Sequence, residues 1–134
     1  MQKLQHLAVE LLLIALGGGM GAVLRHLVGE LVLRLAGGSF PFSTLVVNVS
    51  GCLLFGGLAA MFASPHALRE ELRGMLLIGF LGGYTTYSTY AWQTVMLADE
   101  GAWGKALANL LMTTTLGFAA IWVGYRVGTR WFGV

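Results

Sequence analysis

Apolar residues run along this chain in four long stretches with short polar breaks between them. The first begins near residue 7, reads "LLLIALGGGMGAVL", and continues past Arg25 to about residue 35. The second covers 42–62, the third 74–98 and the fourth about 106–125. A helix needs roughly 20 apolar residues to cross a bilayer. Each stretch is long enough, so the pattern predicts an all-α integral membrane protein with four transmembrane helices. The connections are short: "AGGSFP" around Pro41, "SPHALREEL" around Pro65 and "DEGAWGK" from Asp99. They leave no room for a soluble domain, and no repeat or low-complexity segment is visible. The expected organisation is one membrane domain over residues 1–134.

The third stretch departs from the pattern at its centre. "GFLGGYTTYSTY", residues 79–90, puts a glycine pair and seven hydroxyl-bearing side chains at the depth where hydrocarbon tolerates them least. Glycine costs a helix about 1 kcal/mol relative to alanine, so the pair Gly82-Gly83 predicts either a break or a close helix contact. Backbone freed by a break is tolerated in membranes where it lines a cavity or binds an ion. Its carbonyls are cation ligands.

Composition agrees with the pattern. Of 134 residues, 57% are hydrophobic and 10% charged, and mean hydropathy is +0.76; a soluble domain carries about 25% charged residues. The net charge of +2 is spread over chain ends and loops, without the basic patch that nucleic-acid binding requires. Cys52 is the single cysteine, in an apolar run, and packs as a small hydrophobe. Lys3 followed by an apolar stretch imitates a signal peptide. Glu10 interrupts that stretch and no small-residue cleavage site follows, so the segment reads as mature protein. Lys3, Arg69, Arg73, Arg126 and Arg130 fall on the side of the termini, and Arg34 and Lys105, with Arg25 near them, on the other. The bias towards termini inside is weak, and a chain with a weak bias can insert both ways. Gly17 and Gly21 form a GxxxG step, which predicts close helix approach, either within the chain or in a homodimer. A chain this small needs a partner to enclose anything polar, which favours the dimer.

The remaining polar residues cluster. Ser43, Thr44, Asn48 and Ser50 lie in the second stretch, and Asn109, Thr113, Thr114 and Thr115 in the fourth. A single threonine satisfies itself by bonding to the preceding turn; an amide cannot satisfy itself fully on its own helix. No Asp, Glu, Lys, Arg or His stands at the centre of the second, third or fourth stretch. A proton-coupled pump usually carries a titratable group at depth. Neutral donors suit an anion, and aromatic ring edges carry partial positive charge. Tyr87 and Tyr90 are therefore further candidates.

"GGGMGAVLRH" (17–26), "FSTLVVNVSG" (42–51) and "GFLGGYTTYSTY" (79–90), in that order in a four-span chain, resemble the Fluc/CrcB family of fluoride channels over nearly the whole length. The resemblance implies a passive fluoride-selective channel of the bacterial cytoplasmic (inner) membrane, not an enzyme. It implies an antiparallel, dual-topology homodimer with two pores and a third helix broken at mid-membrane. It implies one structural, non-transported Na+ held by backbone carbonyls, which fall here on Gly82 and Thr85. The implied fluoride pathway falls on Asn48 and Thr44 of the second helix. It continues over Tyr87, Ser88, Thr89 and Tyr90 of the third, Asn109 and Thr113 of the fourth, and Arg25 of the first. Tyr87 and Tyr90 replace the family's usual phenylalanines, and Asn109 stands where a tyrosine is usual. Fluoride is small and tightly hydrated, so a pore must offer several donors at once while keeping each site weak. Export would follow the membrane potential, about 2.3 kcal/mol per elementary charge per 100 mV. The rival reading is a small four-helix, proton-coupled cation or guanidinium exporter. It needs a membrane carboxylate, and the one candidate, Glu10, lies too near the start of its helix.

Overall fold

Glycine positions decide how this chain packs. The computed structural model describes residues 1–64 and 70–133, which form helices and connecting turns without a strand among them. The helices are α1 (Gln2–Ala36), α2 (Phe42–Ala63), α3 (Glu70–Arg73), α4 (Leu81–Tyr84), α5 (Tyr87–Asp99) and α6 (Trp103–Phe132). A π-helical stretch, Gly74–Phe80, joins α3 to α4 without interruption. The Pro65 turn and Arg69, counted above in the charge balance, lie outside the described residues.

The helix ends follow local chemistry. Gly37 ends α1 at φ 74, a conformation that costs glycine little, and its N–H reaches the Leu33 carbonyl at 3.0 Å. Gly133 ends α6 in the left-handed conformation with its N–H on Thr129 O at 3.1 Å. Ser64 closes α2 in extended backbone, as expected of a residue before proline.

Among the described residues three helices, α1, α2 and α6, are long and apolar enough to cross a membrane. They outrun the stretches expected from hydropathy: α1 starts at Gln2, and α6 continues seven residues past Tyr125 to Phe132. The third apolar stretch is not one helix. It is interrupted at Thr85–Thr86, where Thr85 (φ −79, ψ 158) and Thr86 (φ −148, ψ 114) are extended. The interruption therefore falls just after the glycine pair, and Gly82 and Gly83 themselves remain helical.

Packing is backbone on backbone. A Cβ at Gly56 would fall on the Ile121 carbonyl, and one at Gly124 on the Leu53 carbonyl, so α2 and α6 meet without intervening side chains. On the other side, Gly17 abuts Met75 O, Gly21 abuts Phe80 O, Gly79 abuts Ile14 O and Gly83 abuts Gly18 O. The Gly17/Gly21 step is thus consumed inside the chain, against residues 70–84, and supplies no dimer face. Small residues serve this purpose in lipid, where close approach rather than hydrophobic burial drives association. Among the described residues the buried apolar set is small: Leu45, Val47, Ala60, Leu81, Tyr84, Tyr90 and Ala106. Large apolar side chains such as Leu12, Leu16, Phe118 and Trp122 face outward.

Candidate functional site: a groove at a helix break

The break is made by an amide from another helix. Asn48, on α2, accepts the Thr86 N–H on Oδ1 at 2.8 Å and donates from Nδ2 to the Thr86 carbonyl at 3.0 Å. This two-point clamp replaces the backbone partners that a continuous helix would have given Thr86. Gly82 loses its i+4 donor as a direct consequence. Leu81 O is still satisfied, by Thr85 N–H at 3.0 Å and Thr85 Oγ1 at 2.9 Å. On the far side, Thr86 caps α5: its Oγ1 accepts the Thr89 N–H at 3.3 Å.

The two helix ends at the break have opposite electrical character. Carbonyls at the C-terminal end of α4 favour a cation; the first N–H groups of α5 favour an anion. The Gly82 position is open, with nothing within 4 Å of where a Cβ would stand. Thr85 O is approached by the Arg25 guanidinium, Nη1 at 3.5 Å, a distance at the outer limit of a hydrogen bond.

Between α2, the break and α6 lies an open groove of about 420 Å³. Of the residues assigned to the ion route or the Na+ site in the sequence, Asn48, Gly82, Thr85, Tyr87, Tyr90 and Thr113 line it, and Thr114 of the fourth-stretch cluster does so too. Among the described residues, none that lines it is an Asp, Glu, Lys, Arg or His. Thr44 is buried one turn below Asn48 and does not line the groove; neither does Asn109 or Arg25. Ser88 and Thr89 lie exposed at the mouth of the break, each within 3.5 Å of the Thr86 hydroxyl.

The two tyrosines have different surroundings. Tyr87 is 80% exposed on this chain, while Tyr90 is buried. Their rings meet edge-on, 5.6 Å between centroids at 61°. The Tyr90 phenol donates to the Leu110 carbonyl on α6 at 3.3 Å and lies 3.3 Å from Thr114 Oγ1. Its single proton is therefore spent on α6.

Other hydroxyls bond back to their own helix, and Ser50 also lies 2.9 Å from the Tyr84 hydroxyl. Ser50 bonds back to Val46 O at 2.7 Å and Thr115 to Leu111 O at 2.6 Å. Two residues were not singled out as site residues in the sequence. Thr86 was one hydroxyl among many, yet its backbone is the point of the break. Thr94 bonds both Tyr90 O and Asn109 at 2.8 Å. Its four-residue spacing from Tyr90 was the one available signal.

Comparison with known proteins places this arrangement. Residues 12–125 match the family described as "CrcB-like protein, Camphor Resistance (CrcB)". The chain is 42% identical over 122 residues to the "Fluoride-specific ion channel FluC" of Solibacter usitatus, an alignment spanning 91% of this chain and all of that protein. It is 42% identical over 118 residues to "Fluoride-specific ion channel FluC 2" of Symbiobacterium thermophilum, covering 88% of this chain and 96% of that one. It is 40% identical over 118 residues to a protein of the first name from Shewanella frigidimarina, covering 88% and 94%. With the family matched over most of its length and relatives aligned nearly end to end, the chain is a multi-pass membrane protein that belongs to the CrcB family.

Proposed function

We propose that this protein is a passive fluoride channel of the bacterial cytoplasmic membrane, a conduit rather than an enzyme, that lets fluoride leave the cell down its electrochemical gradient. One observation carries the reading: a largely apolar groove, with no carboxylate among its described walls, runs to a helix break held open by Asn48, where the amide and the Tyr87 and Tyr90 ring edges are the polar features. The names of relatives covered almost end to end support fluoride as the ion. In this reading the residues 70–99 form a fourth crossing, interrupted at its middle.

The anion would pass the unclamped N–H of the Asn48 amide, the edges of the Tyr87 and Tyr90 rings, and the Ser88 and Thr89 hydroxyls at the start of α5. Each is a weak partner, and together they substitute for the hydration shell. The absence of carboxylates from the groove walls keeps repulsion low. Thr113 forms part of the wall, and Thr44, Asn109 and Arg25 stand behind it.

A structural Na+ fits the donor set at the break. Carbonyl oxygens are hard ligands suited to a hard cation. Gly82 O is released by the Asn48 clamp, and Thr85 O keeps a second lone pair beyond the Arg25 contact. A bound Na+ would supply a fixed positive charge and tie carbonyls of neighbouring chains together. These carbonyls are too few on one chain to surround an ion, so a second copy, in antiparallel orientation, would complete the set. That copy would also cover the side of the groove where Tyr87 stands exposed.

The deciding experiment is ion efflux from liposomes holding the purified protein, followed with fluoride- and chloride-selective electrodes while a potassium ionophore clamps the voltage. Fluoride efflux far above protein-free liposomes, with chloride at background, is expected. Equal rates for both ions, or none, would refute the reading.

A further inference from the structure

Asn109 is fully buried, at 0% exposure, and both ends of its amide are engaged. Its Nδ2 donates to Thr94 Oγ1 at 2.8 Å, and its Oδ1 accepts the Thr113 hydroxyl at 3.3 Å. Thr94 Oγ1 in turn donates to the Tyr90 carbonyl at 2.8 Å. Tyr90 is thus gripped twice by α6: at its backbone through Thr94 and Asn109, and at its ring tip through Leu110 O.

We propose that Asn109 and Thr94 are a positioning pair that sets the angle of the Tyr90 ring against the groove, and that Asn109 is not itself a station for the ion. A helical threonine bonding back to its preceding turn spends its proton but keeps lone pairs. Those lone pairs receive the N–H of the fully buried Asn109 amide, for which an unmade hydrogen bond is costly. The bond fixes α5 against α6 at one register. Because the Thr113 proton is directed to Asn109, that hydroxyl offers the groove no donor. The inference rests on the channel reading for its effect on flux, but not for its effect on Tyr90.

Two measurements are made on Thr94→Val, Asn109→Leu, the double variant and Thr94→Ser. The first is the fluorine resonance of Tyr90 in protein labelled with 3-fluorotyrosine, assigned by its loss in Tyr90→Phe. The second is fluoride efflux from liposomes. Thr94→Val and Asn109→Leu should shift the Tyr90 resonance in the same direction and slow efflux about tenfold, the equivalent of one lost buried hydrogen bond. The double variant should be no slower than the worse single one. Thr94→Ser, which keeps the hydroxyl, should match the parent in both. If Asn109→Leu fails to assemble, Thr94→Val against Thr94→Ser decides alone. An unmoved resonance in Thr94→Val overturns the inference. So does slow efflux in Asn109→Leu beside parental efflux in Thr94→Val, because Asn109 would then act directly. A resonance that follows the expected pattern in a parent carrying no fluoride keeps the positioning pair and removes the fluoride reading instead.

Discussion

Asn48 has two separable tasks, and substitutions can divide them. Its amide bridges the Thr86 N–H and carbonyl at 2.8 and 3.0 Å, and it lines the groove. Asn48→Leu removes both bridging bonds and leaves two backbone groups unsatisfied. At about 1–3 kcal/mol each, the loss is roughly 2–6 kcal/mol, enough to lower the melting temperature clearly or to prevent assembly. Asn48→Asp is subtler. Its carboxylate still accepts the Thr86 N–H, but a second oxygen now faces the Thr86 carbonyl where a donor stood. The structural loss is one bond, about 1–3 kcal/mol. The larger effect is electrostatic. A fixed negative charge about 4 Å from a passing anion, at an effective dielectric constant of about 20, costs about 4 kcal/mol. On the rate-limiting barrier this slows transport about a thousandfold. The assay pairs fluoride efflux from liposomes with thermal unfolding and elution volume in detergent. Asn48→Asp should elute like the parent, melt slightly lower and carry almost no fluoride. Efflux within about threefold of the parent, from a protein that elutes normally, would remove Asn48 from the ion route. A parental melting temperature for Asn48→Leu would show that the clamp holds nothing.

Other expectations follow from particular contacts. Gly83→Ala puts a methyl group onto the Gly18 carbonyl and should destabilise by at least about 1–3 kcal/mol, whereas Gly19→Ala, with nothing within 4 Å, should be neutral or slightly stabilising; similar melting temperatures for the two would contradict the packing of α1 on residues 70–84. Tyr87→Phe should conduct like the parent, because only its ring edge is assigned to the ion. Tyr90→Phe should lower stability by about 1 kcal/mol through its bond to Leu110 O, with efflux reduced less than tenfold; a larger loss from well-assembled protein would make the phenol a ligand. Cysteines placed singly at one terminus, in a Cys52→Ser background, should be labelled from both faces of the membrane, and labelling from one face only would refute antiparallel insertion. Replacing sodium by a large organic cation should weaken the dimer in detergent; unchanged association would argue against carbonyl-bound Na+.

Much was legible along the chain. Long uncharged stretches can only be helices in lipid, because hydrocarbon offers backbone groups no other partner. The ordered motifs around Arg25, Asn48 and Thr85 were enough to point to the family. The clustering of neutral polar residues marked the groove region before any contact was known. Three features stayed hidden. Gly17 and Gly21 read equally well as an inner or an outer seam, and only their fit against Met75 and Phe80 decides for the inner one. The glycine pair read equally well as a break or a close contact; Gly83 makes the close contact, against Gly18, and the break falls at Thr85–Thr86. Weak helix propensity makes an interruption cheap without placing it. It is placed where a partner can take over the released backbone, and that partner, Asn48, is 38 residues away in the chain. Asn109 shares its helix face with Thr113, as spacing requires, yet its amide lies wholly between α5 and α6. Periodicity along a helix fixes which residues share a face. It cannot say which neighbouring helix that face meets, because the meeting depends on side-chain volumes and hydrogen-bond partners distant in sequence.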